Sequence, residues 1–343
     1  MLGIHIRLNE GCRTELDLAR DMGFRFVMFW NNVWSAKGYD EVPKDGRVTL
    51  AFEQVQLLWR AVSYARLTGF EKIGLKLHCT PGEVGLVGED RKYSWWEGWF
   101  LPKDLDRWID GYVLSVVCPY WLEAKAQNLD YFILGNELYC LTRSSRWGEW
   151  IRILQSEAEA RPKIGYASFF TSPVHHFWSP LIRPLTKLLG RRKVLRWFIN
   201  SFVGKGRFQF SSKEREKEVA EALWQHFNPW RTSLDIVGLN CYLPIWRAED
   251  PAKVYEDFIV RMRPFKLHFN YYDYVRRFAD TKPLMITELW FSDTDPDWGA
   301  PGQARRLAEI ALDFWIKKKG VSVVLWEPPS WWQRYRDVLK PFL

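Results

Sequence analysis

Cysteine is scarce and unpatterned in this chain of 343 residues: five thiols, at positions 12, 79, 118, 140 and 241, with no CxxC spacing. An odd, dispersed set argues against a disulfide framework and against a zinc site. Reduced thiols in a cytoplasmic protein are the simplest account. No run of roughly 18 apolar residues exists, so nothing reads as a membrane span. Leu2–Ile6 reads as a strand, and no basic segment with a long apolar stretch stands ahead of it. No signal peptide is therefore visible, although a secreted chain with its leader removed would look the same. Pro/Gly/Ser-rich and low-complexity stretches are missing as well, which leaves no linker at which to divide the chain. Residues 1–343 are read as one domain. The formal charge of +8 is mild for this length and reads as solubility, not as a nucleic-acid footprint. His175 and His176 stand too isolated to suggest a metal, and nothing else implies a cofactor.

Aromatics are abundant: 21 Trp, 14 Tyr and 22 Phe. Most of these rings are expected in the core, but a Trp-rich cleft also suits the apolar faces of sugars. Strand-like runs alternate with helical patterns. The expected strands are 2–6, 25–30, 72–78, 131–135, 163–168, 235–240, 284–287 and 322–326. The helical patterns at 14–22 and 50–67 stop at Gly23 and Gly69. A third, 102–125, carries Asp104 and Asp106 in its first turn. A fourth, 305–319, gathers lysines in its last turn and stops at Gly320. Eight strands alternating with helices predict a (β/α)₈ TIM barrel. Two loops exceed what such a barrel needs. One follows strand three at 80–101; the other is an insertion after strand five at 169–233. Both leave the strand ends that form the mouth, where long loops shape a cleft. Inside the insertion, 183–196 is basic with interleaved apolar residues. It reads as a helix packed on the barrel with a solvated cationic face, or else as a surface for a membrane or an anionic partner.

Two apolar runs end on glutamates: Tyr131-Phe132-Ile133-Leu134-Gly135-Asn136-Glu137 and Pro283-Leu284-Met285-Ile286-Thr287-Glu288. A carboxylate closing a buried strand is costly without a reason. In a parallel barrel both would sit at the C-terminal mouth, where barrel enzymes keep their chemistry. Two facing carboxylates are what glycoside hydrolysis needs, and a retaining enzyme holds them about 5–5.5 Å apart. Lys76 shares alternation parity with His78, so both point into the barrel, and a buried lysine would need a partner. Trp96 and Trp99 are candidate sugar platforms, or else anchors for their loop. Glu327, next to Trp326, reads as a salt-bridge partner, or else as a third carboxylate in the cleft.

Asn136-Glu137 at the end of strand four resembles the signature of glycoside hydrolase clan A, whose members are (β/α)₈ barrels. That resemblance implies Glu137 as general acid/base, Asn136 on the sugar 2-hydroxyl, and Glu288, ending strand seven, as nucleophile. It also implies Tyr242 after strand six as the residue holding Glu288, and Trp326 at the end of strand eight as the floor of the cleaved sugar's subsite. Within the clan, Lys76-Leu77-His78, Trp96-Glu97-Gly98-Trp99-Phe100-Leu101-Pro102 and Gly135-Asn136-Glu137-Leu138 resemble segments of family 113, the β-mannanases. His78 is read as a mouth-facing substrate ligand, or else as a satisfied structural histidine. The likeness covers roughly 70–170 and 235–330. Asn136 departs from it, standing where that family often has threonine, and strand two ends in Phe29-Trp30-Asn31-Asn32 without the arginine many clan members carry. The resemblance implies a retaining glycosidase of a β-linked hexose polymer or oligosaccharide, mannan first. The alternatives are a transglycosylase, sharing the same covalent intermediate, and a non-catalytic carbohydrate-binding scaffold.

Overall fold

The computed structural model describes residues 1–36, 52–81, 104–138, 141–156, 160–169, 230–242, 251, 255, 259–262, 267–293 and 302–343. Nearly all of the expected strand-five insertion, with its basic segment, and the loop carrying Trp96 and Trp99 lie outside them.

The strands are β1 (Leu2–Arg7), β2 (Phe26–Ala36), β3 (Lys72–Pro81), β4 (Tyr131–Asn136), β5 (Lys163–Phe169), β6 (Ile236–Cys241), β7 (Ile259–Met262), β8 (Leu267–Asn270), β9 (Leu284–Leu289) and β10 (Ser322–Leu325). Eight of them close into a parallel barrel in the order β1-β10-β9-β6-β5-β4-β3-β2. Apolar runs buried on both faces can be accommodated in such a sheet because helices cover its outside. β7 and β8 form a separate antiparallel ribbon that the alternation of apolar runs does not reveal. β2 and β3 run longer than expected. Each supplies the other's ladder partner past the rim, from Trp34 opposite Cys79 to Ala36 opposite Pro81.

The helices include α1 (Cys12–Met22), α2 (Phe52–Leu67), α3 (Leu105–Tyr112), α4 (Cys118–Ala126), α5 (Arg146–Ser156), α6 (Tyr271–Ala279) and α7 (Ala304–Leu312). α3 and α4 are joined through a π-helical turn at 113–117, so the expected 102–125 pattern is nearly one continuous element. Asp104 is its N-cap, its carboxylate accepting from the Arg107 amide at 3.0 Å. Such a cap contributes about 1 kcal/mol. α1 stops where Gly23 takes φ 104°, a left-handed conformation that costs glycine least.

Two cores result. The outer one fills the space between strands and helices and takes most of the aromatics among the described residues; Trp108, Trp121, Trp147, Trp315 and Trp332 are fully buried. The inner one plugs the barrel with Phe26, Met28, Ile133, Ala167, Ile236, Met285 and Val324. At the opposite end from the mouth, two aspartates pin strand starts. Asp130 accepts from the Ile73 amide at 2.9 Å and Asp235 from the Ile164 amide at 2.8 Å. Each also binds a cation, Lys72 and Arg161 respectively. Polar clamps at that face serve stability. Cys12 and Cys241 are buried, and Cys118 is partly buried. No helix among the described residues is long and apolar enough to cross a membrane.

Candidate functional site

Above the apolar plug the barrel interior turns polar. Going up from it, the inward positions carry His5, Lys76, Asn136, Asn240 and Thr287, all buried. Glu137 and Glu288 come next, each only 3% exposed. Strict strand alternation would send one member of each consecutive pair, Asn136/Glu137 and Thr287/Glu288, to the outside. A register slip prevents this in β9, and at the end of β4 a left-handed backbone at Glu137 does so, after a slip that has already re-aimed Asn136. Ile133 pairs with Gly165 but Asn136 with Ala167, so β4 holds one extra residue. Leu239 pairs with Ile286 but Asn240 with Glu288, so β9 holds one too. Bulges of this kind re-aim side chains. Glu137 further adopts φ 52°, an uncommon left-handed backbone for a glutamate, and its amide donates to Ala167 O at 2.8 Å.

Asn240 is the hub of the site. Its Nδ2 donates to Glu137 Oε1 at 2.7 Å and to Asn136 Oδ1 at 2.9 Å. Its Oδ1 accepts from Thr287 Oγ1 at 2.8 Å and from Lys76 Nζ at 3.2 Å. Lys76, with no exposed surface, forms a salt bridge to Glu288 Oε1, and the Tyr242 hydroxyl donates to Glu288 Oε2. One carboxamide thus stands between the two carboxylates. It donates directly to Glu137 and reaches Glu288 through the lysine.

Two histidines complete the polar layer. His5 Nε2 lies 2.7 Å from Thr287 O, and His78 Nε2 lies 3.8 Å from Glu288 Oε1, with His78 Nδ1 at 3.5 Å from Asn136 Nδ2. Burial and then the Lys76 ammonium push both imidazoles down, His78 to about 3 against the pull of Glu288, so both are neutral near pH 7. Burial, then the neighbouring Glu288 and Glu137, raises Tyr242 well above the usual phenol value, so it stays a donor. At the rim, Trp326 stacks on His78 at 5.4 Å between centroids. Trp30 closes the group at 5.1 Å from Trp326 and 5.2 Å from His78, with the Arg7 guanidinium over Trp30 at 5.2 Å.

Of the residues singled out from sequence, Glu137, Glu288, Asn136, His78, Tyr242 and Trp326 therefore gather at one mouth. Trp96 and Trp99 lie outside the described residues. Glu327 corrects an expectation: none of the salt bridges among the described residues involves it. It sits half-buried at φ 80°, its carboxyl raised by burial, close enough to contribute to the shift of Tyr242. Sequence reasoning missed Asn240 and Trp30. Asn240 closes the expected strand 235–240, two positions before Tyr242, and a buried amide ending an apolar strand was the available signal. Trp30 ends the expected strand 25–30, near where an arginine was sought, and lies within the longer β2. Among the described residues no cluster of His, Cys, Asp and Glu could hold a metal ion.

No family model matches the chain, and no curated protein matches it in sequence. Solved structures do. It is similar to an endocellulase from Pyrococcus horikoshii, 11% identical with a TM-score of 0.49, over 99% of this chain and 91% of that one. It is similar to a β-mannanase from the blue mussel Mytilus edulis, 12% identical with a TM-score of 0.45, over 99% and 91%. It is also similar to a glycoside hydrolase family 17 β-1,3-glucanosyltransferase from Rhizomucor miehei, 11% identical with a TM-score of 0.43, over 95% and 85%.

Proposed function

We propose that this protein is a retaining glycoside hydrolase acting on a β-linked hexose oligo- or polysaccharide, with β-mannan the first substrate to test. The observation that carries the reading is the pair of buried carboxylates, Glu137 and Glu288, joined through the Asn240 amide and Lys76 at the mouth of a parallel barrel. In this reading Glu137 donates its proton to the glycosidic oxygen while a Glu288 oxygen attacks the anomeric carbon. The bond from that carbon to the leaving oxygen breaks. Water then attacks the same carbon and gives its proton to Glu137, and Glu288 departs with the electron pair of the ester bond. Tyr242 and Lys76, one on each oxygen of Glu288, fix its plane. The Trp326–His78–Trp30 group offers ring faces to a sugar, and Asn136 stands beside the acid, where a 2-hydroxyl contact would strengthen in the transition state.

The test is a screen of aryl β-glycosides and β-linked polysaccharides with wild type, Glu137→Gln and Glu288→Gln, reading product anomers by proton NMR. Retained configuration in wild type, with loss in both variants, supports the proposal. Inverted products, or turnover that survives Glu288→Gln, overturn it. Product analysis with added acceptor sugar separates hydrolysis from transglycosylation.

A further inference from the structure

Among the described residues, the one lysine in the inner polar layer has no place in the proton and bond bookkeeping above. Lys76 is fully buried, and among the described residues its ammonium contacts Glu288 Oε1, Asn240 Oδ1 at 3.2 Å and the Trp326 ring face at 5.7 Å. Only the first carries a full negative charge. In the free enzyme the buried cation and Glu288 neutralise each other. Once Glu288 is bonded to a sugar carbon it is an ester and that charge is gone. Lys76 is then a buried cation facing an amide oxygen and a ring, a state that costs far more than the paired one. Cleaving the ester regenerates the carboxylate, and the attraction grows as charge returns to Glu288 in the transition state.

We propose that Lys76 is a positioning residue that drives release of the sugar from Glu288, keeping the covalent intermediate short-lived. This rests on the glycosidase reading above. The other charged and titratable groups facing Glu288 do not perform this task. His5 and His78 are neutral, Tyr242 is a neutral donor, and Glu137 and Glu327 are acids whose charge would oppose the carboxylate's return.

The probes are the 2,4-dinitrophenyl 2-deoxy-2-fluoro-β-glucoside and β-mannoside. Adducts on the Glu288 peptide are followed by mass spectrometry, and their decay is timed after removal of the reagent. Lys76→Met should lengthen the adduct's half-life by about tenfold or more, while Lys76→Arg, which keeps the cation, should stay near wild type. On an activated aryl glycoside, kcat should fall by a similar factor in Lys76→Met, with kcat/KM, which reports the first step, changing far less. A merely structural lysine would lower both together. Should Lys76→Met fail to fold, Lys76→Gln carries the same test, since it keeps a donor and drops the charge. Equal decay in wild type and the charge-free variant overturns the role of Lys76 alone. Absence of any adduct in wild type overturns the covalent mechanism and this inference with it.

Discussion

Asn240→Ala is the sharpest probe of the site's architecture. The side chain is wholly buried and makes four hydrogen bonds, two donated and two accepted. Truncation removes one bond each from Glu137, Asn136, Thr287 and Lys76, and two of these partners are ionisable. A buried group losing its partner costs about 1–3 kcal/mol. Four such losses do not add, because the groups share one network, and water entering from the mouth can restore part of what is lost. The working expectation is a destabilisation of about 2–5 kcal/mol, a large share of a typical net stability of about 5–15 kcal/mol. Urea denaturation followed by circular dichroism measures it. Asn240→Asp refines the test, since it keeps the shape but replaces the donor to Glu137 with a carboxylate. It should destabilise strongly at neutral pH and recover in acid. A loss below about 1 kcal/mol for Asn240→Ala, together with an Asp variant indifferent to pH, would refute the hub.

His78 and His5 give a pH signature: their folded pKa values lie below the unfolded value near 6.5, so the unfolded chain binds the extra protons. Stability is therefore fully present above pH 6.5 and falls on acidification, by about 1.4 kcal/mol per pH unit for each histidine; His78→Gln should flatten the slope of urea midpoint against pH between 6.5 and 4. Tyr242→Phe should lower kcat on an aryl glycoside by about 10- to 100-fold, the worth of one hydrogen bond to a charged group, and a wild-type profile that loses activity through phenol ionisation near pH 10 would contradict the raised Tyr242. Gly238→Ala should destabilise by about 1–3 kcal/mol, because its new methyl would meet Tyr166 O at 2.7 Å and Thr287 Cγ2 at 2.8 Å; an unchanged melting temperature would count against that packing. Deleting 184–204, which follows the mouth end of β5, should change the ratio of kcat/KM on long and short oligosaccharides, and an unchanged ratio would remove the insertion from the cleft.

The barrel was legible because its strands are short apolar runs with readable punctuation between them. Gly23, Gly69 and Gly320 end helical segments in left-handed conformations, as their positions in the sequence indicate. The two glutamates were legible because a charge closing an apolar run has few inexpensive explanations. Asn240 was not, because an amide inside an apolar run reads as a tolerated core residue until its four partners, from three other strands, are seen around it. Lys76 was read correctly as inward-facing, but its partner is 212 positions away in sequence and joins it only when the barrel closes. The extended β2–β3 ladder and the β7–β8 ribbon escaped for a related reason. Strand pairing past a rim depends on the neighbour, not on the pattern of either segment alone.

The register slips in β4 and β9 bear on protein engineering. A barrel of perfect pleat offers about four side chains per interior layer, one from every second strand. Here the slip in β9 admits Thr287 with Glu288 to the same small volume, and the slip in β4 followed by the left-handed backbone at Glu137 does so for Asn136 with Glu137. Functional groups are thus packed more densely than an idealised scaffold of the same strand number can deliver. Grafting the site onto such a scaffold by side-chain replacement would turn one member of each pair outward. The extra residues would have to be transplanted along with the chemistry.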